Sequence, residues 1–288
     1  MSGGPQGDHD DPWVFVLVIG KLLAVAEKEL LHPGTPLVII RGWIKNGRKT
    51  LMISSGLFNK YYPDSSKDVT LIFYNWLRTY ARPEFIVLNI GAGPTTDHKI
   101  RSLKGEVEKV FGADIDNEIF NNEDLDEAFI IRHDKLPFAD DTFDLAWADF
   151  VFEHVVKPEV FLREVHRVLK PGASFFFRTP NKHHYVSIIG RVTPHWFHDL
   201  FANRVRGLSN EAHKPYPTYY LLNSKKDIPP HSKSAGFRRI ELRFVEDEPS
   251  YLMFHPTSFL LGVVYERIVN SSESLSGIRA NIIGRLEK

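Results

Sequence analysis

The chain has 288 residues, 43% of them hydrophobic, so it is long enough to bury the core of one domain with additions. Its 36 basic and 36 acidic residues cancel, which argues against a global field that attracts nucleic acid or an anionic membrane. Because the chain has no cysteine, it has no disulfide, thiolate metal site or cysteine nucleophile, and this composition fits the reducing cytoplasm.

An apolar segment at residues 13–26 is interrupted by a single charge, Lys21. The sequence before it, QGDHDD, is acidic where a signal peptide is basic, and the segment is shorter than the ~20 apolar residues of a membrane span. We therefore expect a helix packed on the domain, although Lys21 and Lys28 leave contact with a membrane surface open. Residues 1–84 are expected to form an N-terminal tail and helical extension, and residues 85–288 the main domain.

A helix and five strands are predicted next along the chain. Apolar residues at helical spacing occupy 69–80, and ARP follows at 81–83. Short apolar runs without polar alternation predict parallel strands buried on both faces; they are FIVLNI (85–90), KVFGADI (109–115), AFIIRH (128–133), FDLAWADF (143–150) and SFFFRTP (174–180). A helix within 157–172 has Pro158 in its first turn, and Pro171-Gly172 is expected to end it.

The last part of the chain adds a strand at 237–246, a helix at 257–270 and a closing strand at 278–288. The sequence therefore predicts an α/β fold, a doubly wound, seven-stranded and mostly parallel sheet. Residues 181–236, rich in His, Tyr, Pro and Asn, are too long for a simple connector. We expect them to form a substrate cap inserted between strands five and six.

The turn in VLNIGAGPTT (87–96) follows a predicted strand, where a glycine backbone approaches a cofactor closely. Asp114 lies 21 positions after Gly93, at the end of the second strand, where a carboxylate accepts both ribose hydroxyls of an adenosine cofactor. Glycine pairs also end ordinary strands, and Asp114 could instead cap a helix. Thr96 occupies the third glycine position of G-x-G-x-x-G, which weakens a dinucleotide interpretation. Asp134 could contact an adenine amino group or be an ordinary loop acid.

Two downstream stretches, HDKLPFADDTFDLAWADFVFEHV (133–155) and LREVHRVLKPGASFFFRTPN (162–181), closely resemble the class I S-adenosylmethionine-dependent methyltransferases. The resemblance covers about residues 85–181, with the elements LPF, FD, EHV and RVLKPG in order. It implies a Rossmann-like fold and S-adenosylmethionine as cofactor. Beyond residue 181 the chain resembles bacterial methyltransferases of the small-molecule type whose substrate is unassigned.

The resemblance also implies which residues contact the cofactor. The glycine turn approaches the methionine part, Asp114 takes the ribose hydroxyls, and Asn89 stands where the family often has an acid near the methionine amine. The loop at Asp134 contacts adenine, and the end of the fourth strand faces the methionine part and the substrate. The predicted cofactor-binding residues are Asn89, Gly91, Ala92, Gly93, Asp114, Ile115, Asp134, Lys135, Leu136, Asp149 and Phe150.

The predicted reaction is methyl transfer to a small-molecule acceptor, with oxygen as the expected acceptor atom because a histidine-rich cap offers a base. The candidate catalytic residues are His154, His183 and His184. His154 could instead be structural, since Glu153-His154 recurs in family members with different acceptors. The pair His195 and His198 has helical spacing, but no carboxylate motif accompanies it, so no metal is predicted.

Two other functions stay open: a binding or scaffold protein that lost catalysis, and a nucleotide-dependent oxidoreductase. An NPPY-type run is absent after the fourth strand, where this chain has ADFV. This absence and the neutral charge argue against a nucleic-acid partner. A cytoplasmic location is expected, and the oligomeric state is not predicted.

Overall fold

The computed structural model describes residues 53–64, 66–96, 98–192, 216–253 and 255–288. The helix predicted at 13–26 and the histidines at 195 and 198 lie outside the described residues. The chain divides into two compact units. Among the described residues, the first is built from 53–67, 188–192 and 246–279, and the second from 68–187, 216–245 and 280–288.

The described part of the chain contains six helices and seven strands. Their bounds are α1 (Ser55–Tyr61), α2 (Val69–Arg78), β1 (Ile86–Ile90), β2 (Lys109–Asp114), β3 (Glu127–Ile130), β4 (Phe143–Asp149), α3 (Pro158–Val168), β5 (Leu169–Pro180), α4 (Tyr185–Val192), α5 (Ile228–Ser234), β6 (Arg239–Val245), α6 (Pro256–Asn270) and β7 (Asn281–Glu287). Short 3-10 turns at Lys99–Arg101 and Asn117–Asn121 follow β1 and β2.

Seven strands form one sheet in the second unit, in the order β3-β2-β1-β4-β5-β7-β6. Strands β1 to β5 pair in parallel, and β7 is antiparallel to both β5 and β6. The predicted seven-stranded, mostly parallel sheet is therefore confirmed. The chain runs outward from β1 to β3 and then returns to add β4 on the other side of β1. This reversal places a crevice at the carboxyl ends of β1 and β4.

Helices cover both faces of this sheet. On one face, Leu162 and Val165 of α3 pack in a core with Leu88, Phe175 and Phe177. On the other face, α2 buries Phe73, Trp76 and Leu77 in a core with Val87 and Phe176. Consecutive phenylalanines in β5 thus point to opposite cores, which explains why this strand lacks polar alternation. The doubly wound arrangement follows from these two apolar faces.

The boundary between α3 and β5 differs from the prediction. Helix α3 ends at Val168, before Pro171-Gly172, and β5 begins at Leu169. The pairing of β4 with β5 shifts register between Leu169 and Ser174. Pro171 and Gly172 therefore lie in an irregular start of the strand, where the missing N–H of proline is tolerated.

The first unit has its own aromatic core, in which Tyr62 and Phe259 pack edge to face with ring centroids 6.1 Å apart. Glu266 of α6 is fully buried in this unit. Its carboxylate accepts hydrogen bonds from Lys67 and from the Asn270 side chain, the latter at 2.6 Å. These charge-assisted bonds offset the cost of burying the carboxylate. Among the helices described, none has the length and apolar character needed to cross a bilayer.

Candidate functional site

The glycine turn begins where β1 ends. Gly91 and Gly93 have positive φ angles of 71° and 55°, a conformation that glycine adopts without steric cost. A β-carbon on Gly91 would lie 2.4 Å from a methyl carbon of Val151. Glycine at position 91 therefore satisfies both the backbone conformation and the close approach of the loop that follows β4.

Hydrogen bonds fix this turn to the end of β2. The backbone N–H of Gly93 donates to Oδ2 of Asp114 at 2.9 Å, and the N–H of Asp116 donates to Oδ1 at 3.0 Å. The Asn122 side chain donates to the carbonyl oxygens of Ala92 and Gly93, at 3.2 and 2.9 Å. The Asp114 carboxylate is thereby held beside the turn, as the cofactor prediction requires.

A cleft that is open to solvent lies at this edge of the sheet. Its walls include residues from the ends of β1 and β4 and from the turns after β1; among them are Tyr74, Asn89, Gly91, Ala92, Arg101 and Asp149. The cleft occupies the reversal point of the strand order, where open α/β sheets bind ligands. Four of the predicted cofactor-binding residues thus line one cleft, and Gly93 and Asp114 adjoin it.

Asp149 at the end of β4 is paired with a buried arginine. Arg178, its register partner on β5, is 1% exposed and donates to both carboxylate oxygens, at 2.6 and 2.7 Å. Arg178 also donates to Oγ1 of Thr70 at 2.7 Å, and the Tyr74 hydroxyl donates to Asp149 at 3.1 Å. Burial, reinforced by the charge of Asp149, raises the pKa of Tyr74, so Tyr74 stays a donor. The Asp149 charge is therefore neutralised within the protein.

Phe150 follows with a positive φ of 59°. The guanidinium carbon of Arg178 lies 4.5 Å from the centroid of the Phe150 ring, a cation–π contact. Phe150 itself is 37% exposed. The ring that was predicted to face the cofactor is thus held in place by the cation that pairs with Asp149.

Glu153, in the loop after β4, is only 6% exposed. Thr179 donates its hydroxyl to the Glu153 carboxylate at 3.2 Å, and Asn223 donates in turn to Thr179 at 2.6 Å. Burial raises the pKa of Glu153 to about 7, against the opposing effects of the hydrogen bonds it accepts. Its carbonyl oxygen accepts from the N–H of Tyr219 at 2.7 Å, which ties residue 219 to this loop.

His154 contacts neighbouring residues of the same segment, Tyr216 and Pro217. Its Nδ1 lies 2.9 Å from the carbonyl oxygen of Pro217. A carbonyl only accepts, so Nδ1 carries the hydrogen and the neutral ring keeps its lone pair on Nε2. Tyr216 places its ring edge-on to His154, with centroids 6.0 Å apart, and donates its hydroxyl to Asp116 at 2.5 Å. That hydrogen bond raises the pKa of Tyr216 to about 12.

The other two candidate bases follow β5. The backbone N–H groups of His183 and His184 donate to Asn181, to its side-chain and main-chain oxygens respectively, both at 3.1 Å. His184 is 5% exposed and its ring lies 4.1 Å from that of Tyr185, measured between centroids. His184 is therefore a buried residue of this loop.

The remaining predicted cofactor-binding residues lie on the loops after β2 and β3, and Asp134 and Leu136 belong to the predicted adenine-contacting loop. Ile115 is 65% exposed directly after Asp114. Asp134 has a positive φ of 57° and pairs with Lys157 at 2.8 Å. Leu136 is buried and, with Lys135, lines a separate hollow on this side of the sheet. The structure thus places Ile115 in solvent contact next to Asp114.

Sequence reasoning missed three residues of this site: Arg178, Arg101 and Asn122. Arg178 carried a usable signal, because a charge within the apolar run SFFFRTP needs a buried partner. Arg101 and Asn122 lie in irregular connections, where periodicity gives no signal. The described residues contain no group of three His, Cys, Asp or Glu side chains placed to hold a metal ion.

Comparisons with known proteins agree with this geometry. Residues 88–177 match the family model described as a methyltransferase domain. The chain is 34% identical over 88 residues to a sterol 4-C-methyltransferase of Caenorhabditis elegans, covering 26% of each protein. It is 36% identical over 104 residues to a ubiquinone/menaquinone biosynthesis C-methyltransferase of Vibrio vulnificus, covering 32% of this chain and 40% of that protein.

Among solved structures, an S-adenosylmethionine-dependent methyltransferase of Mesorhizobium loti is 15% identical, with a TM-score of 0.48. The match covers 74% of this chain and 96% of that one. The chain spans between 26% and 40% of the length of the curated relatives it matches.

Residues 88–177 therefore form a class I S-adenosylmethionine-dependent methyltransferase domain, and the family predicted from the motifs is confirmed. S-adenosylmethionine is the cofactor of this class, as predicted. The matches favour neither the oxidoreductase nor the non-catalytic scaffold.

Proposed function

We propose that this protein transfers the methyl group of S-adenosylmethionine to a small-molecule acceptor. The observation that carries the proposal is the glycine turn of β1, hydrogen-bonded to the Asp114 carboxylate at the reversal point of the strand order. This edge of the sheet combines a backbone that a ligand can approach with an acceptor for ribose hydroxyls.

The residues present fit the cofactor. Each Asp114 oxygen accepts one backbone N–H and keeps a second lone pair for a ribose hydroxyl. Exposed Ile115 offers an apolar surface for adenine. The family resemblance implies that the loop of Asp134, Lys135 and Leu136 also contacts the adenine. The methionine part would lie in the cleft beside Gly91 and Asn89. The bound cofactor would supply an electrophilic methyl group on sulfur.

The protein would contribute alignment of the acceptor, exclusion of water and, where needed, removal of a proton. His154 fits the last role, because its Nδ1 is held by Pro217 and Nε2 keeps the lone pair. His183 and His184 stay candidates within the cap. Residues 181–236 are proposed as the substrate cap of a methyltransferase domain spanning 85–288.

We propose oxygen as the acceptor atom, because the histidines near the cap provide a base. The curated relatives are named as C-methyltransferases, so carbon is the second candidate. A phenol or enol exposes both kinds of atom. An NMR spectrum of product made with a ¹³C-labelled methyl donor separates the two, because methyl groups on oxygen and on carbon differ widely in chemical shift. A cytoplasmic location and the absence of a nucleic-acid partner stay predictions.

The first test is calorimetric titration with S-adenosylmethionine, S-adenosylhomocysteine and NAD. We expect the first two to bind and NAD not to bind, and Asp114→Ala to weaken binding by about tenfold to hundredfold, the value of a charge-assisted hydrogen bond. Asp140→Ala is the matched control, since that carboxylate is 73% exposed. Equal binding by both variants, or binding of NAD alone, would refute the proposal. Binding without turnover across an acceptor screen would favour the scaffold alternative.

A further inference from the structure

Arg101 is the last residue of the 3-10 turn that follows β1, and its side chain lines the cleft beside Asn89 and Asp149. Its Nε atom is buried and has no hydrogen-bond partner among the residues that the structure describes. A buried, unpaired N–H of a charged group is costly. Folding alone gives no reason to keep an arginine at this position.

Asp149, which lines the same cleft, does not supply the missing hydrogen-bond partner of Arg101. Both oxygens of Asp149 accept from Arg178, at 2.6 and 2.7 Å, and that guanidinium is 1% exposed. The charge of Asp149 is therefore already balanced by Arg178. Asn89, on the same wall, is neutral. Arg101 thus presents its positive charge to the cleft at the glycine turn, and the carboxylate of Asp124 also belongs to the lining of this cleft.

We propose that Arg101 binds the carboxylate of the amino-acid part of the cofactor. A planar guanidinium matches a carboxylate, and such pairs form two parallel hydrogen bonds. The glycine turn next to the cleft leaves room for the chain that links this carboxylate to the adenosine. This inference rests on the proposed function, since it names the residue that recognises one end of the same ligand.

Two ligands separate this contact from the rest of the site. S-adenosylhomocysteine carries the amino-acid group, whereas 5′-methylthioadenosine has the same adenosine and thioether without it. In calorimetric titrations we expect Arg101→Gln to weaken the binding of S-adenosylhomocysteine by about tenfold to hundredfold. Its affinity for 5′-methylthioadenosine should stay within about twofold of wild type, because that ligand lacks the charged group. Arg101→Lys keeps the charge and loses the planar fork, so its affinity for S-adenosylhomocysteine should lie in between.

Lys99→Gln is the matched control, because Lys99 is an exposed cation of the same turn. It should leave both affinities unchanged. Thermal melts establish that each variant is folded. If Arg101→Gln does not fold, the test uses Arg101→Lys instead. An equal loss of affinity for S-adenosylhomocysteine and for 5′-methylthioadenosine overturns the inference.

An unchanged affinity of Arg101→Gln for S-adenosylhomocysteine also overturns the inference while leaving the proposed function intact. If the wild-type protein binds neither ligand, the proposed function fails and the inference fails with it. A loss confined to the ligand with the carboxylate supports both.

Discussion

Glu153 makes the stability of this protein depend on pH in a defined direction. The carboxyl group is 6% exposed and accepts a hydrogen bond from Thr179. Replacing it by glutamine keeps the size of the side chain and an oxygen that accepts the same bond, but removes the ability to ionise. Comparison of wild type with Glu153→Gln therefore isolates the cost of the buried charge.

The magnitude follows from the pKa of Glu153, which burial raises from 4.5 to about 7. Between these values the folded protein holds a proton that the unfolded chain has lost, so the free energy of unfolding falls as pH rises. The difference corresponds to about 3 kcal/mol at 1.36 kcal/mol per pKa unit. The two proteins should be similarly stable below about pH 4.5, and Glu153→Gln should become the more stable by up to ~3 kcal/mol above pH 7.

The assay is urea unfolding of both proteins at intervals from pH 4.5 to 8, followed by circular dichroism. Glu159→Gln on α3 is the control, because its carboxylate is 51% exposed and should show no such crossover. A Glu153→Gln variant that is less stable than wild type at pH 8 would contradict this reasoning. It would mean that the ionised carboxylate is stabilised in the folded state, with the positive charge of Arg178 as the nearest source.

Two further substitutions test residues that line or support the cleft, and one tests the segment at residues 216–220. Arg178→Met leaves the Asp149 carboxylate buried without its cation, so it should cost about 3–5 kcal/mol of unfolding free energy; adding Asp149→Asn should recover most of this loss in urea titrations. Gly91→Ala should lower the free energy of unfolding by about 1–3 kcal/mol, because residue 91 has a positive φ and a β-carbon there would clash with Val151. Calorimetry should also show weaker cofactor binding. Normal cofactor binding by this variant would mean that the turn does not belong to the cofactor site. Tyr216→Phe removes a hydrogen bond to a carboxylate, so amide hydrogen exchange at 216–220 should speed up by about fivefold, the equivalent of ~1 kcal/mol. Unchanged exchange there would show that this bond does not hold the segment.

Much of the sheet could be predicted from the sequence because its strands are buried on both faces. The run FIVLNI could be assigned to β1, and the glycines after it to a turn, without tertiary information. Asp114 could be assigned to the cofactor because the carboxyl ends of parallel strands share one edge of the sheet. The strand and the turn depend on local pattern, and the structure has them at the predicted positions, whereas the role of Asp114 toward the cofactor stays a prediction.

The pairing of side chains across the sheet could not be predicted in the same way. Asp149 and Arg178 are register partners on β4 and β5, but the register shift after Leu169 hides this relation in the sequence. The end of α3 was misplaced for the same reason, since Pro171-Gly172 is typical of a helix stop and here begins a strand irregularly. Sequence periodicity reports burial, whereas register depends on bulges that only the paired strands reveal.

The charges of the cleft indicate how an amino-acid group would be oriented in it. Asp149 can accept a further hydrogen bond from an ammonium group, but its pairing with Arg178 leaves it little net attraction for a cation. Asp124, another carboxylate of the cleft lining, can supply that attraction, while Arg101 attracts the opposite end. A zwitterion therefore meets one charge of each sign without a carboxylate at Asn89. Under the proposed function, Asp124 would supply the attraction for the amine from the connection after β2, in place of a carboxylate at position 89.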